Sequence, residues 1–121
     1  MAKLVRIQKR VDANDPVAID HLAHAYFDGK SYGLQQDIQR AIELWTEAVR
    51  LGNFEAHCTL GRRYYEGDGV DQDKVKAIRH WQHAAIQGHP LSRHNLGCYE
   101  YENGNHELAV LHWMIYSKMG Y

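Results

Sequence analysis

Apolar residues fall at three- and four-residue intervals in successive blocks along this chain, and most blocks close on a glycine. Between residues 54 and 66, Ala56, Leu60 and Tyr64 recur at the spacing of one helix face, with Gly61 beside them, which predicts a helix there. Gly67-Asp68-Gly69-Val70 follows, and its glycines break the helix and permit positive φ. Asp73 stands four residues before Ala77, as Asp37 does before Ala41 and Asn105 before Ala109. Asp and Asn accept hydrogen bonds from the first-turn amides of a helix, so these three positions read as N-caps. Gly52, Gly88 and Gly120 read as the C′ residues that end those helices. The pattern predicts helix pairs at about 17–28 with 38–51, 54–66 with 74–87, and 91–103 with 106–119. Residues 3–12 carry Leu4, Ile7 and Val11 at helical spacing, and Asn14-Asp15-Pro16-Val17-Ala18 matches the junction Gly52-Asn53-Phe54-Glu55-Ala56. The N-terminal segment therefore reads as the second helix of a truncated unit.

The pairs are copies of one another. Trp45, Trp81 and Trp113 each end the same kind of run, Ala41-Ile42-Glu43-Leu44, Ala77-Ile78-Arg79-His80 and Ala109-Val110-Leu111-His112, and a leucine (Leu22, Leu60, Leu96) precedes each. Self-similarity at a period of roughly 32–38 residues marks a helical repeat array. In such an array two antiparallel helices cover one apolar face and leave a second for the neighbouring unit. Ala41, Ala48, Ala77 and Ala84 allow close approach of backbones, and the tryptophans are expected to fill the wider gaps. The fold expected is all-α: a right-handed superhelix of three helix pairs, at about 16–52, 53–88 and 89–121, behind a leading helix within 1–15.

Composition narrows the function. At 121 residues the chain has one domain's worth of length. Its hydrophobic fraction of 45% suffices for a core, and its charged fraction of 24% is ordinary for a soluble protein. A formal net charge of −1 with interspersed signs argues against a nucleic-acid footprint. No apolar run approaches the ~18 residues of a membrane span. The first ten residues are basic without an apolar core, so no secretory signal is expected. Cys58 and Cys98 are the two cysteines and make no disulfide framework, so an intracellular, cytoplasmic location is the expectation.

Leu60-Gly61, Tyr64, Gly67-Asp68-Gly69-Val70, Asp73, Ala77, Trp81, Ala84-Ala85 and Gly88 resemble a Sel1-like repeat, a relative of the tetratricopeptide repeat. The first unit matches with Leu22, Tyr26, Gly29, Asp37, Ala41, Trp45, Ala48 and Gly52, but Ala23 replaces the glycine and its loop is longer. The third departs further: Leu96 to Trp113 spans 17 positions against 21 from Leu60 to Trp81, Glu100 replaces the tyrosine, and Tyr116 replaces the alanine. The resemblance implies an adaptor or scaffold, often one segment of a longer protein and in several cases attached to ubiquitin-ligase machinery. Some Sel1-like proteins are described as β-lactam-binding enzymes with repeated cysteine pairs. This chain lacks those pairs, and hydrolase activity is not carried over.

Other chemistry is thinner. His94 and Cys98 lie four apart on a helix and could approach Cys58 or His24, making a metal-binding module the rival reading; a structural zinc site wants four ligands. His57 and Cys58 are adjacent, and neighbours in a helix point about 100° apart, which does not make a nucleophile–base pair. No phosphate loop is present, and the reading is of a non-enzyme needing no cofactor. The positions two before, two after and five after each motif leucine are expected to lie off the buried stripe and line a groove for a protein or peptide: Asp20, His24 and Phe27; Cys58, Arg62 and Tyr65; His94, Cys98 and Tyr101. Nucleic acid and membrane are not expected partners. The chain stops where a next unit would begin, so a longer natural protein or self-association through open repeat ends is a further expectation.

Overall fold

The computed structural model describes residues 2–118, which form seven α-helices and no strand. These are α1 (Ala2–Asp12), α2 (Pro16–Asp28), α3 (Ile38–Arg50), α4 (Phe54–Glu66), α5 (Lys74–Ile86), α6 (Pro90–Glu102) and α7 (His106–Lys118). The expected terminator Gly120 and the end of the third unit lie outside the described residues. The chain divides within α4 into two compact units, Met1–Leu60 and Gly61–Tyr121.

The helix ends follow from local chemistry. Asp37 and Asp73 are extended N-caps whose carboxylates accept from the amides of Arg40 and Lys76, each at 3.0 Å. Asp15, Asn53 and His89 serve α2, α4 and α6 in the same way. Asn105 does not fit the expected pattern. Its side-chain amide donates to the Glu100 carboxylate at 2.7 Å, and its backbone carbonyl accepts from Ala109.

Four helix exits share a Schellman turn. Gly52 N–H donates to the Val49 carbonyl and Asn53 N–H to Ala48; Gly88 and His89, Gly104 and Asn105, and Asn14 and Asp15 repeat the pair. Asn14 holds φ +60° where the other turns use glycine, as asparagine can. A side-chain pair five residues apart spans the ends of α1, α4 and α6: Arg10–Asp15, Arg63–Asp68 and Asn105–Glu100.

In the first unit, α2 packs on α3. Trp45 and Ala41, Ala48, Ala18 and Ala23 are fully buried, with Leu22 and Ile19 nearly so. The Trp45 Nε1–H donates to Asp20 Oδ1 at 3.0 Å. In the second unit, α6 packs on both α5 and α7 around Trp81, Ala77, Ala84, Leu96 and Ala109. Gly61 and Gly97 are there because the indole lies against them: a Cβ would stand 2.5 Å from Nε1 of Trp81 or of Trp113. Trp113 is only half-buried, so the third tryptophan does not fill a closed gap as the first two do. Loops of different length reach the same anchor. Asp37 N–H donates to the Tyr26 carbonyl and Asp73 N–H to Tyr64, each at 2.8 Å. Just before them, the side-chain amides of Gln36 and Gln72 donate to the carbonyls of Phe27 and Tyr65.

Candidate functional site

The residues expected to line a groove do not share one environment. Asp20 and Cys58 are buried, which corrects their placement off the buried stripe. Asp20 accepts from Trp45 and lies 3.5 Å from His24 Nε2, so its carboxylate holds the first unit together. On α2 the position two before the motif leucine points toward Trp45 of α3, while His94, its counterpart on α6, is half-buried.

The aromatics five after the leucine each lie against the tryptophan of their own unit. Ring centroids are 5.6 Å apart for Phe27 and Trp45, 5.3 Å for Tyr65 and Trp81, and 5.8 Å for Tyr101 and Trp113. His24 meets Trp45 edge-on at 4.9 Å. Tyr101 also stacks on His106 at 4.5 Å. These contacts give the aromatics a packing role, and Tyr65 and Phe27 remain partly exposed.

Within the second unit a cleft of about 170 Å³ opens among α4, α5 and α6. Arg62, Tyr65 and Glu66 form one wall, Asn95, Cys98, Tyr99 and Glu102 the other, and Trp81 lies beneath. It gathers three of the expected residues, Arg62, Tyr65 and Cys98, and leaves out Tyr101. The Tyr65 hydroxyl donates to Glu102, its ring meets Tyr99 edge-on at 6.4 Å, and Lys74 Nζ stands 5.0 Å from its centroid. Burial and the Glu102 carboxylate push the Tyr65 phenol up to about 12, so it is a donor at any physiological pH. Glu66, Asn95, Tyr99 and Glu102 were missed because one set of positions was applied to every unit. A cleft between neighbouring helices takes different arcs from its walls: two, five and six after the leucine on α4, but one before and two, three and six after on α6.

Cys98 Sγ and His94 Nε2 are 3.6 Å apart. Among the described residues, no group of three or more His, Cys, Asp or Glu is gathered that could hold a metal ion. Neither cysteine is in a disulfide. No described helix is long and apolar enough to cross a membrane.

A second cleft of about 420 Å³ lies among α5, α6 and α7, with Ile86, Arg93, Leu96, Leu108 and His112 in its lining. His112 Nδ1 is 3.4 Å from Arg93 Nη1. Burial, and then the Arg93 charge, lower the His112 pKa, against a smaller opposing effect of Glu100. The folded chain therefore disfavours the protonated imidazole relative to the unfolded chain, in which it titrates near the ordinary value of 6.5. Its contribution to stability is present above that pH and is lost as pH falls below it. Thermal unfolding between pH 7 and 5 is expected to show a falling midpoint, less steep in His112→Gln. Equal slopes in both proteins would show that His112 does not drive the loss.

The repeats identified above match known proteins. The Sel1 repeat model matches residues 16–53, 54–89 and 90–113. The chain is 38% identical over 66 residues to the ERAD-associated E3 ubiquitin-protein ligase component HRD3A of Arabidopsis thaliana, covering 54% of this chain and 10% of that protein. It is 31% identical over 101 residues to protein sel-1 homolog 2 of Mus musculus, covering 79% of this chain and 14% of the relative. The chain thus spans a small part of the curated relatives' length. Among solved structures, c5321, a protective antigen of uropathogenic Escherichia coli strains with an SLR fold, superposes with a TM-score of 0.87 at 27% identity, covering 98% of this chain and 26% of that one. A Sel1 repeat protein from Oxalobacter formigenes superposes with a TM-score of 0.86 at 27% identity, covering all of this chain and 92% of that one. With three matched repeats and the helical solenoid fold of these neighbours, this chain belongs to the Sel1 repeat family.

Proposed function

We propose that this chain is a protein-interaction module that takes a peptide segment of a partner in the cleft among α4, α5 and α6. Sel1 repeats generally mediate protein–protein interaction and are typically non-catalytic scaffolds, and HRD3A is by name a component of a larger assembly. The observation that carries the reading is the lining of the cleft. Tyr65, Tyr99 and Trp81 supply aromatic surface, while Arg62 against Glu66 and Glu102 places both signs of charge at the rim. Aromatics and arginine dominate interface energetics. An extended or helical peptide with an apolar anchor and an acidic group beside Arg62 fits that lining. Two cysteines outside any disulfide suit a reducing, cytoplasmic setting.

A photo-reactive residue placed at Glu66 tests this, with one at the exposed Arg79 outside the cleft as its control. A partner cross-linked from position 66 alone is expected. With that partner purified, Arg62→Ala and Tyr65→Ala should each weaken binding about tenfold. Arg62→Ala, at an exposed position, should leave the melting temperature near normal. Equal cross-linking from both positions, or undiminished affinity in both variants, sinks the cleft.

A further inference from the structure

The last described helix differs from its counterparts on one face. Aligned on Ala41, Ala77 and Ala109, the outward positions of α3 carry Arg40, Glu43, Thr46, Glu47 and Arg50, and those of α5 carry Lys76, Arg79, Gln82, His83 and the exposed Ile86. On α3 these residues form the ion pairs Arg40–Glu43 and Glu47–Arg50. In the same register α7 carries Leu108, Leu111, Met114 and Ile115, and at the last position Lys118. All four apolar residues are exposed, as is Val110, and Leu111 shows 55% of its surface. At about 100° per residue they sweep roughly 160° of the helix, centred opposite the fully buried Ala109. Leu108, at the edge of this face, lines the cleft toward α5 and α6; the rest turns away from α6, and it is apolar where the two earlier helices are mostly polar or charged.

We propose that this face pairs α7 with α7 of a second copy of the chain, in antiparallel orientation. The face is self-complementary in that orientation alone. Exposed Glu107 and Lys118 bracket it at opposite ends, so a two-fold axis between residues 112 and 113 sets Glu107 against Lys118 of the second copy twice over. The same axis sets Leu111 against Met114 and Ile115 against Val110. A parallel pairing would place Glu107 on Glu107 and Lys118 on Lys118. An isologous contact of this kind closes on itself as a dimer. A helix of 13 residues is about 20 Å long, and an interface that short lies at the weak end of specific contacts, so micromolar association is expected.

Sedimentation of the whole chain from micromolar to millimolar concentration reads the dimer directly. Leu111→Glu introduces the residue that α3 carries at Glu43, so it leaves the melting temperature near normal and should abolish association. Glu107→Lys or Lys118→Glu alone should weaken the dimer roughly tenfold, since each sets two like-charge pairs, and the double reversal should restore it. A wild-type chain that stays monomeric at millimolar concentration overturns the proposal and assigns the face to a different protein. A dimer indifferent to Leu111→Glu, or one that the double reversal does not restore, overturns the antiparallel α7 pairing.

Discussion

Replacing Trp45 with alanine is expected to destabilise the fold by about 4–5 kcal/mol, the largest effect of any single truncation in the chain. The side chain is fully buried between α2 and α3, against Phe27 and His24. Losing an aromatic of that size from a close-packed site costs about 3–5 kcal/mol. Here the loss also strands Asp20, a carboxylate 7% exposed, which would keep only the more distant His24. A buried acceptor deprived of its donor costs about 1–3 kcal/mol. Domains of this size are stable by about 5–15 kcal/mol, so the variant is expected near the edge of folding. Trp45→Phe separates the contributions, because it keeps ring packing and removes the N–H. Its expected cost is about 1.5–3 kcal/mol by urea denaturation. Adding Asp20→Leu should recover part of that, since replacing both partners by apolar groups avoids the stranded charge. If Trp45→Phe unfolds at the wild-type midpoint, the Asp20 bond contributes nothing and the argument fails.

Asp20 also shows where reading the sequence reached its limit. The helices were legible to within a residue or so because their ends are written in local chemistry: Asp37 and Asp73 at N-caps, Gly52 and Gly88 at C′. A positive φ or a first-turn amide needs a particular residue type at a particular place, and the pattern repeats. The side chains of the site were less legible. Whether position 20 faces solvent or a tryptophan depends on the crossing of two helices, which periodicity alone does not fix. Gln36 and Gln72 went unremarked for a related reason, because each holds the end of the preceding helix across a loop. The cleft wall on α6, with Asn95, Tyr99 and Glu102, needed knowledge of which arc of that helix faces α4.

The glycines give the sharpest test of that distinction, because two of them are required for opposite reasons. Gly88 holds φ +90° with nothing within 4 Å of where a Cβ would stand, whereas Gly61 sits in ordinary helix with the Trp81 indole at 2.5–2.7 Å and the Ala77 carbonyl oxygen at 3.1 Å. At Gly88 the obstacle is backbone conformation. Alanine there should cost about 1–2 kcal/mol, and asparagine less, since Asn14 already holds φ +60° at the same turn before α2. At Gly61 the obstacle is space. Alanine should cost up to about 3 kcal/mol, because a buried indole and a backbone carbonyl have nowhere to move. Asparagine there should be worse than alanine, reversing the order at Gly88. In the first unit Ala23 takes this register, and there the Trp45 indole donates to the Asp20 carboxylate. Chemical denaturation of the four variants decides the matter. An alanine-over-asparagine order that is the same at both positions would mean that one mechanism governs both glycines, and that close packing of Trp81 is not what excludes a side chain at position 61.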